Sequence, residues 1–152
     1  MRILAITLPI LFVSIPCIAL EEDYFDQQVA PILVQHCIEC HNPNDLKGKL
    51  NLQSKDGFLM GGELGSAFNV DSPQDSLLLT RVTADEMPPE HPLSAKEKQV
   101  LTRWVKNGAQ WGTTPINIFK YSSPKRAGFD WWALQPLTKP TLPTTSAHTP
   151  QN

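Results

Sequence analysis

Five consecutive residues constrain this chain more than any others: Cys37-Ile38-Glu39-Cys40-His41. Two thiols at this spacing lie on one side of a single helical turn, and the histidine follows on the same turn. A thioredoxin-like redox pair would need a preceding strand inside a βαβ pattern, and none is visible. A structural zinc site needs four ligands, and these three sit at a cramped spacing with no second cysteine pair. The pattern Cys-x-x-Cys-His is instead the attachment sequence for c-type haem. Both thiols reach the vinyl groups of one porphyrin edge and become thioethers, and His41 then offers its imidazole to the iron. The expected cofactor is one haem c, attached through Cys37 and Cys40.

The N-terminus supports that chemistry. Met1-Arg2 precede an apolar run from Ile3 to Leu20, and Glu21-Glu22-Asp23 end it abruptly. One positive charge, an apolar centre and small Ala19 near the polar onset form the pattern of a secretory signal, read as residues 1–19. An uncleaved anchor is the alternative, but the run is at the lower limit for spanning a bilayer and Pro9 and Pro16 interrupt it. Lipidation of Cys17 is disfavoured by Ile15 and Pro16. Each reading puts the rest of the chain outside the cytoplasm, in the periplasm or on the outer face of the cytoplasmic membrane. Membrane contact is expected only if the segment stays uncleaved.

Removing that segment and the proline-rich end leaves residues 22–112 for a globule. That is thin for a self-sufficient core, and a covalently held haem would fill it. Six of the 14 prolines fall in the last 40 residues. Acids outnumber bases before residue 112, and bases outnumber the one acid, Asp130, after it. The net charge of −2 gives no reason to expect nucleic acid as a partner.

Helical periodicity dominates the central segment. Phe25, Val29, Ile32 and Leu33 share one face, with acids crowding the first turns, and Pro31 predicts a kink or a fresh start. Ser72-Pro73-Gln74-Asp75 reads as a capped helix start, with Leu78 and Val82 on its apolar face. Ser94-Ala95-Lys96-Glu97 is a second capping box. Val100, Leu101, Trp104 and Val105 follow as a stripe, and Gly108 is the stop. Trp104 reads equally as core or as a haem contact. Leu50 and Leu52 alternate like a short strand, while Gly57, Gly61, Gly62 and Gly65 imply turns. No phosphate-cradling glycine motif is present.

A methionine as the sixth iron ligand suits electron transfer. Met60 reads as core packing. Met87 precedes Pro88-Pro89, which stiffen a loop that could hold a soft ligand in place. His91 is its nearest rival, His36 is too close to Cys37 to reach the far face, and His148 lies in the tail. The readings left are Met87, His91 or an open position. No catalytic triad, paired acid and base or nucleotide loop appears elsewhere, so no catalytic residue is expected.

Several segments together resemble the planctomycete-type cytochrome c domain: His36-Cys-Ile-Glu-Cys-His41, Leu46-Lys-Gly-Lys-Leu-Asn-Leu52, Gly61-Gly-Glu-Leu-Gly65, Asp75-Ser-Leu-Leu78, Met87-Pro-Pro89 and Trp104-Val-Lys-Asn-Gly-Ala109. The resemblance spans about residues 22–112. It implies a mainly helical, class I-like cytochrome c fold of three to four helices around one haem, with His41 as proximal and Met87 as distal ligand. Lys49 departs from it, standing where the family more often has glycine. Phe129-Asp-Trp-Trp-Ala-Leu-Gln-Pro136 resembles the segment that follows this domain in large multidomain members.

Residues 113–152 otherwise read as a disordered linker or tail, with 129–135 the one stretch apolar enough to dock. The expected function is that of a monohaem electron carrier, not an enzyme, exchanging single electrons with redox proteins. The alternatives are a haem-bearing electron-entry module of a larger oxidoreductase, or a haem sensor or peroxidase if the sixth position is open.

Overall fold

In a computed structural model of the chain, residues 23–137 are described. The expected signal, 1–19, and His148 lie outside them. The described residues form four α-helices joined by turns, with no strand among them. None of these helices is long and apolar enough to cross a membrane.

The first helix shows how the chain accommodates Pro31. Residues Phe25–Val29 form a π-helical turn, closed by the Ala30 amide on the Phe25 carbonyl, and α1 (Ala30–His36) starts afresh with Pro31 in its first turn. Proline is tolerated there because its missing N–H would have no helical partner. The widened turn keeps Phe25, Val29, Ala30, Ile32 and Leu33 on one buried face.

That face packs on α4 (Ala95–Lys106), whose Leu101, Trp104 and Val105 are buried. The capping box at its start is complete: Ser94 Oγ accepts from the Glu97 amide, and the Glu97 carboxylate accepts from the Ser94 amide. At its other end Gly108 takes a φ of +87°, the left-handed conformation that ends helices. Four rings meet at the centre. Phe25 lies 5.6 Å from Trp104 and 4.5 Å from Trp111, and Phe58 lies 5.3 Å and 5.8 Å from the same two indoles. Trp104 is therefore a core residue, and its indole N–H donates to the Gln110 carbonyl at 2.7 Å.

Between α1 and α4 the structure departs from the sequence reading in three places. Leu50 is extended, but the Leu52 amide donates only to the His41 carbonyl, at 2.9 Å, so alternation over three residues yields no strand. A short helix, α2 (Lys55–Met60), stands where only turns were expected, capped by Ser54 Oγ on the Gly57 amide. It buries Phe58 and turns Leu59 and Met60 to solvent, so Met60 is not core. Third, Ser72 caps no helix; Pro73–Asp75 form a single 3₁₀ turn and α3 (Leu77–Thr83) begins after it. Ser76, fully buried, links the two. Its hydroxyl donates to the Pro73 carbonyl at 2.7 Å and accepts from the Asn69 amide at 3.0 Å.

The loop from 47 to 65 explains its glycines. A side chain on Gly62 would meet the Gly48 carbonyl oxygen at 2.5 Å. Gly48 and Lys49 both adopt positive φ, +62° and +55°. Lys49, the one departure from the resemblance, thus occupies a left-handed position that glycine adopts without strain.

The chain does not leave the globule at 112. The indole of Trp111 is core, Ile116 is 2% exposed, and the Ile116 amide donates to the Gln53 carbonyl at 2.8 Å. Tyr121 packs against the core from its edge. By contrast Phe129, Trp131 and Trp132, in the one stretch read as apolar enough to dock, remain exposed. Composition misled because one buried isoleucine and a few polar anchors leave no periodic signal.

Two outcomes follow. A chain ended at Gly112 loses Ile116, whose burial contributes about 1.5–3 kcal/mol, and several hydrogen bonds of about 0.5–1.5 kcal/mol each. Its thermal midpoint should fall by roughly 10 °C or more against the full chain. Lys49→Gly should leave the midpoint unchanged or raise it, because relief of left-handed strain of about 1–2 kcal/mol outweighs glycine's extra chain entropy of about 1 kcal/mol. Melting curves of the variants measure both.

Candidate functional site

The attachment turn is the continuation of α1. The Cys37 and Ile38 amides both donate to the Leu33 carbonyl, at 2.9 and 2.8 Å. The Cys40 and His41 amides then both donate to the Cys37 carbonyl, at 3.2 and 3.1 Å, so the two cysteines and the histidine share one turn. Ile38 is buried and pins the turn to the core. The helix leading into it is fixed to α4 by His36, whose Nε2 lies 3.0 Å from Glu97 Oε1. His36 is thereby a structural partner of α4. Burial pushes the Glu97 carboxyl up, but its bonds from Ser94 and the nearby His36 outweigh this and hold it below the usual carboxylate range.

Asn42, which the sequence reading passed over, reverses the chain directly after His41. Its side-chain amide donates to the Ile38 and Glu39 carbonyls at 2.7 and 3.1 Å, and its Oδ1 accepts from the Asn44 and Asp45 amides at 2.8 and 3.0 Å. The signal was present as the turn-forming pair Asn42-Pro43. The Lys47 amide then donates to the Cys40 carbonyl at 3.1 Å, which brings the Lys47 ammonium to 3.4 Å from Cys40 Sγ. The Cys40 sulfur holds that ammonium above the usual lysine range.

Both thiols are free. They differ in setting. Cys37 is buried, and that burial, with Cys40 and Glu97 nearby, pushes its thiol up to about 12. Cys40 is partly exposed beside Lys47. Among the described residues no three His, Cys, Asp or Glu side chains converge as a metal cage requires. Cys37, Cys40 and His41 therefore sit close in the chain without pointing at one common centre, which disfavours zinc.

The same set fits a porphyrin, whose vinyl groups meet the thiols at the ring's periphery while the iron lies further in. His41 also carries a buried Nδ1 with no hydrogen-bond partner, one of three such side-chain atoms among the described residues, with Trp111 Nε1 and Arg126 Nη1. A buried ring nitrogen without a partner costs about 1–3 kcal/mol, a cost that ligation of the imidazole can offset.

Met87 is held separately, on the loop after α3. The Glu86 and Met87 amides both donate to the Arg81 carbonyl, at 3.0 and 3.2 Å, and the Arg81 side chain pairs with Glu86. Asp85, at a φ of +60°, pairs with Lys98 of α4 and fixes the start of the loop. The Met87 side chain is 42% exposed and so is not committed to the protein core. His91 is exposed on the same loop. Neither makes a hydrogen bond or ion pair with the attachment turn among the described residues.

No curated protein and no solved structure matches the chain. Residues 37–91, from Cys37 to His91, match the family model of planctomycete cytochrome C, the family that the motifs resemble, and the match suggests a c-type cytochrome that binds haem.

Proposed function

We propose that the chain is a monohaem cytochrome c that transfers single electrons outside the cytoplasm. The observation that carries this reading is the placement of Cys37, Cys40 and His41 on one turn within a segment matching a cytochrome c family. Cys37 and Cys40 would hold the haem through thioethers, and His41 and Met87 would be the ligands of its iron. The bound group supplies a one-electron iron couple.

The chain's own residues do the rest. Ile38 and Asn42 hold the attachment turn in one conformation, so the imidazole needs little reorganisation when the electron moves. The Arg81 carbonyl and the Asp85–Lys98 pair steady the loop that carries Met87. With His41 and Met87 both ligating the iron, no position on it would be left for a substrate, as suits a carrier. The apolar N-terminal run supports export, and the partners are redox proteins.

A second reading, a haem-bearing module of a larger oxidoreductase, draws support from one feature. Phe129, Trp131, Trp132 and Leu134 lie exposed within six residues of chain, as apolar groups awaiting a partner surface do. The electron-transfer role is common to both readings.

The ligands are tested in the full chain, exported in a host with a cytochrome c maturation system. His41→Ala should abolish the low-spin spectrum. Met87→Ala should lose the weak red band of a ferric iron–sulfur bond and lower the midpoint potential, because the thioether favours ferrous iron. His91→Ala should change neither. A low-spin state that survives Met87→Ala and disappears in His91→Ala would reverse the assignment. A spectrum already high-spin in the unmutated protein would favour a sensor or peroxidase.

A further inference from the structure

The segment after residue 112 crosses the domain from one element to the next. The Thr113 amide and hydroxyl donate to the Asp26 carboxylate at 2.9 and 2.6 Å. Thr114 Oγ1 accepts from the Lys55 amide at 3.1 Å, which caps the first turn of α2 from outside. Ile116 is bound to Gln53 in both directions, and the Tyr121 hydroxyl donates to the Asp26 carbonyl at 2.6 Å. The chain then doubles back, with Ser123 and Arg126 paired as an isolated bridge. The return is tight: a side chain on Gly128 would meet the Tyr121 carbonyl oxygen at 2.4 Å.

The tip of that reversal is Lys125. Its ammonium lies 2.8 Å from Glu39 Oε1, and Glu39 stands between the two attachment cysteines. Glu39 first, and then Cys40 and Glu90, hold the Lys125 ammonium above the usual lysine range.

We propose that residues 113–130 form a strap that makes Lys125 a positioning residue of the haem site: it clasps the attachment turn at Glu39 and offsets that carboxylate. The proposal rests on the haem reading above and adds a residue that lies beyond the segment matching the family. Its physical content is electrostatic. Loss of an electron raises the charge of the site by one, so a fixed cation nearby favours the reduced form and a fixed anion the oxidised form. Without Lys125, Glu39 would stand uncompensated between the two cysteines.

The test uses the full exported chain matured with haem. Lys125→Gln should lower the midpoint potential by an amount equal to about a two- to fivefold change in the ferrous-to-ferric ratio, the scale of an exposed charge. Lys125→Arg should restore the unmutated value. Lys125→Gln combined with Glu39→Gln should recover part of the loss. The gap between the unmutated protein and Lys125→Gln should shrink with added salt, because the screening length falls from about 30 Å at 0.01 M to about 3 Å at 1 M.

An unchanged potential in Lys125→Gln would overturn the proposal. So would a fall that Lys125→Arg shares and salt leaves alone, since that pattern marks a packing defect. The mass of each denatured polypeptide separates the two levels of the argument. Chains without a haem mass overturn the haem reading and the strap proposal together. Chains with that mass and an indifferent potential overturn the role of Lys125 alone.

Discussion

The meeting of Phe25, Phe58, Trp104 and Trp111 holds this fold together. Each ring arrives from a different part of the chain: the π-helical turn before α1, then α2, then α4, then the segment that follows α4. Large rings dominate core energetics because each removes so much apolar surface from water. Here they let a small domain fix the axis of α1 against α4. On the proposed reading the haem site hangs from that axis, because the turn from Cys37 to His41 is simply the end of α1, with Ile38 buried and His36 paired to Glu97 as its two further anchors.

On the proposed reading, the turn from Cys37 to His41 is where a haem joins the chain covalently. The buried Cys37 thiol, pushed up to about 12, is inert in the folded chain. Thioether formation would remove both thiols, including that of Cys40, whose sulfur lies 3.4 Å from the Lys47 ammonium. The unpartnered Nδ1 of His41 belongs to the same picture. A turn that carries a buried free thiol at Cys37, a partly exposed one at Cys40 and an unpartnered imidazole nitrogen at His41 suits the protein part of a haem protein better than a finished globule.

Much of this was legible in the sequence, and the exceptions have identifiable physical causes. The capping box at Ser94 and the stripe through Leu101, Trp104 and Val105 gave α4 almost residue for residue, because cap and periodicity agreed. Pro31 correctly marked a fresh start, although only the structure shows that the preceding turn is widened into a π-helix. The cap at Ser72 misled because Ser76, four residues on, takes buried bonds that stop the turn at Asp75. The helix Lys55–Met60 was missed because six residues are too few for periodicity to register. Lys49 drew notice as a departure from the family pattern, and its φ of +55° gives the reason that glycine suits the position.

The site divided along the same line. Cys37, Cys40 and His41 were readable because local spacing alone places them on one turn. Asn42 showed only through the turn-forming pair Asn42-Pro43, and Lys125 not at all, since its contact with Glu39 spans a long stretch of sequence. The tail shows the limit most clearly. Its exposed aromatics attracted attention, whereas its hold on the domain comes from Ile116 and from bonds to Asp26 and Gln53. The central claim is that one haem is joined to this polypeptide through Cys37 and Cys40. Its most direct test is the mass of the full chain after export, maturation and denaturation. The account predicts the polypeptide plus one haem, reduced to the bare polypeptide in a variant carrying Cys37→Ala and Cys40→Ala; a denatured, unmutated chain at the bare polypeptide mass would contradict it.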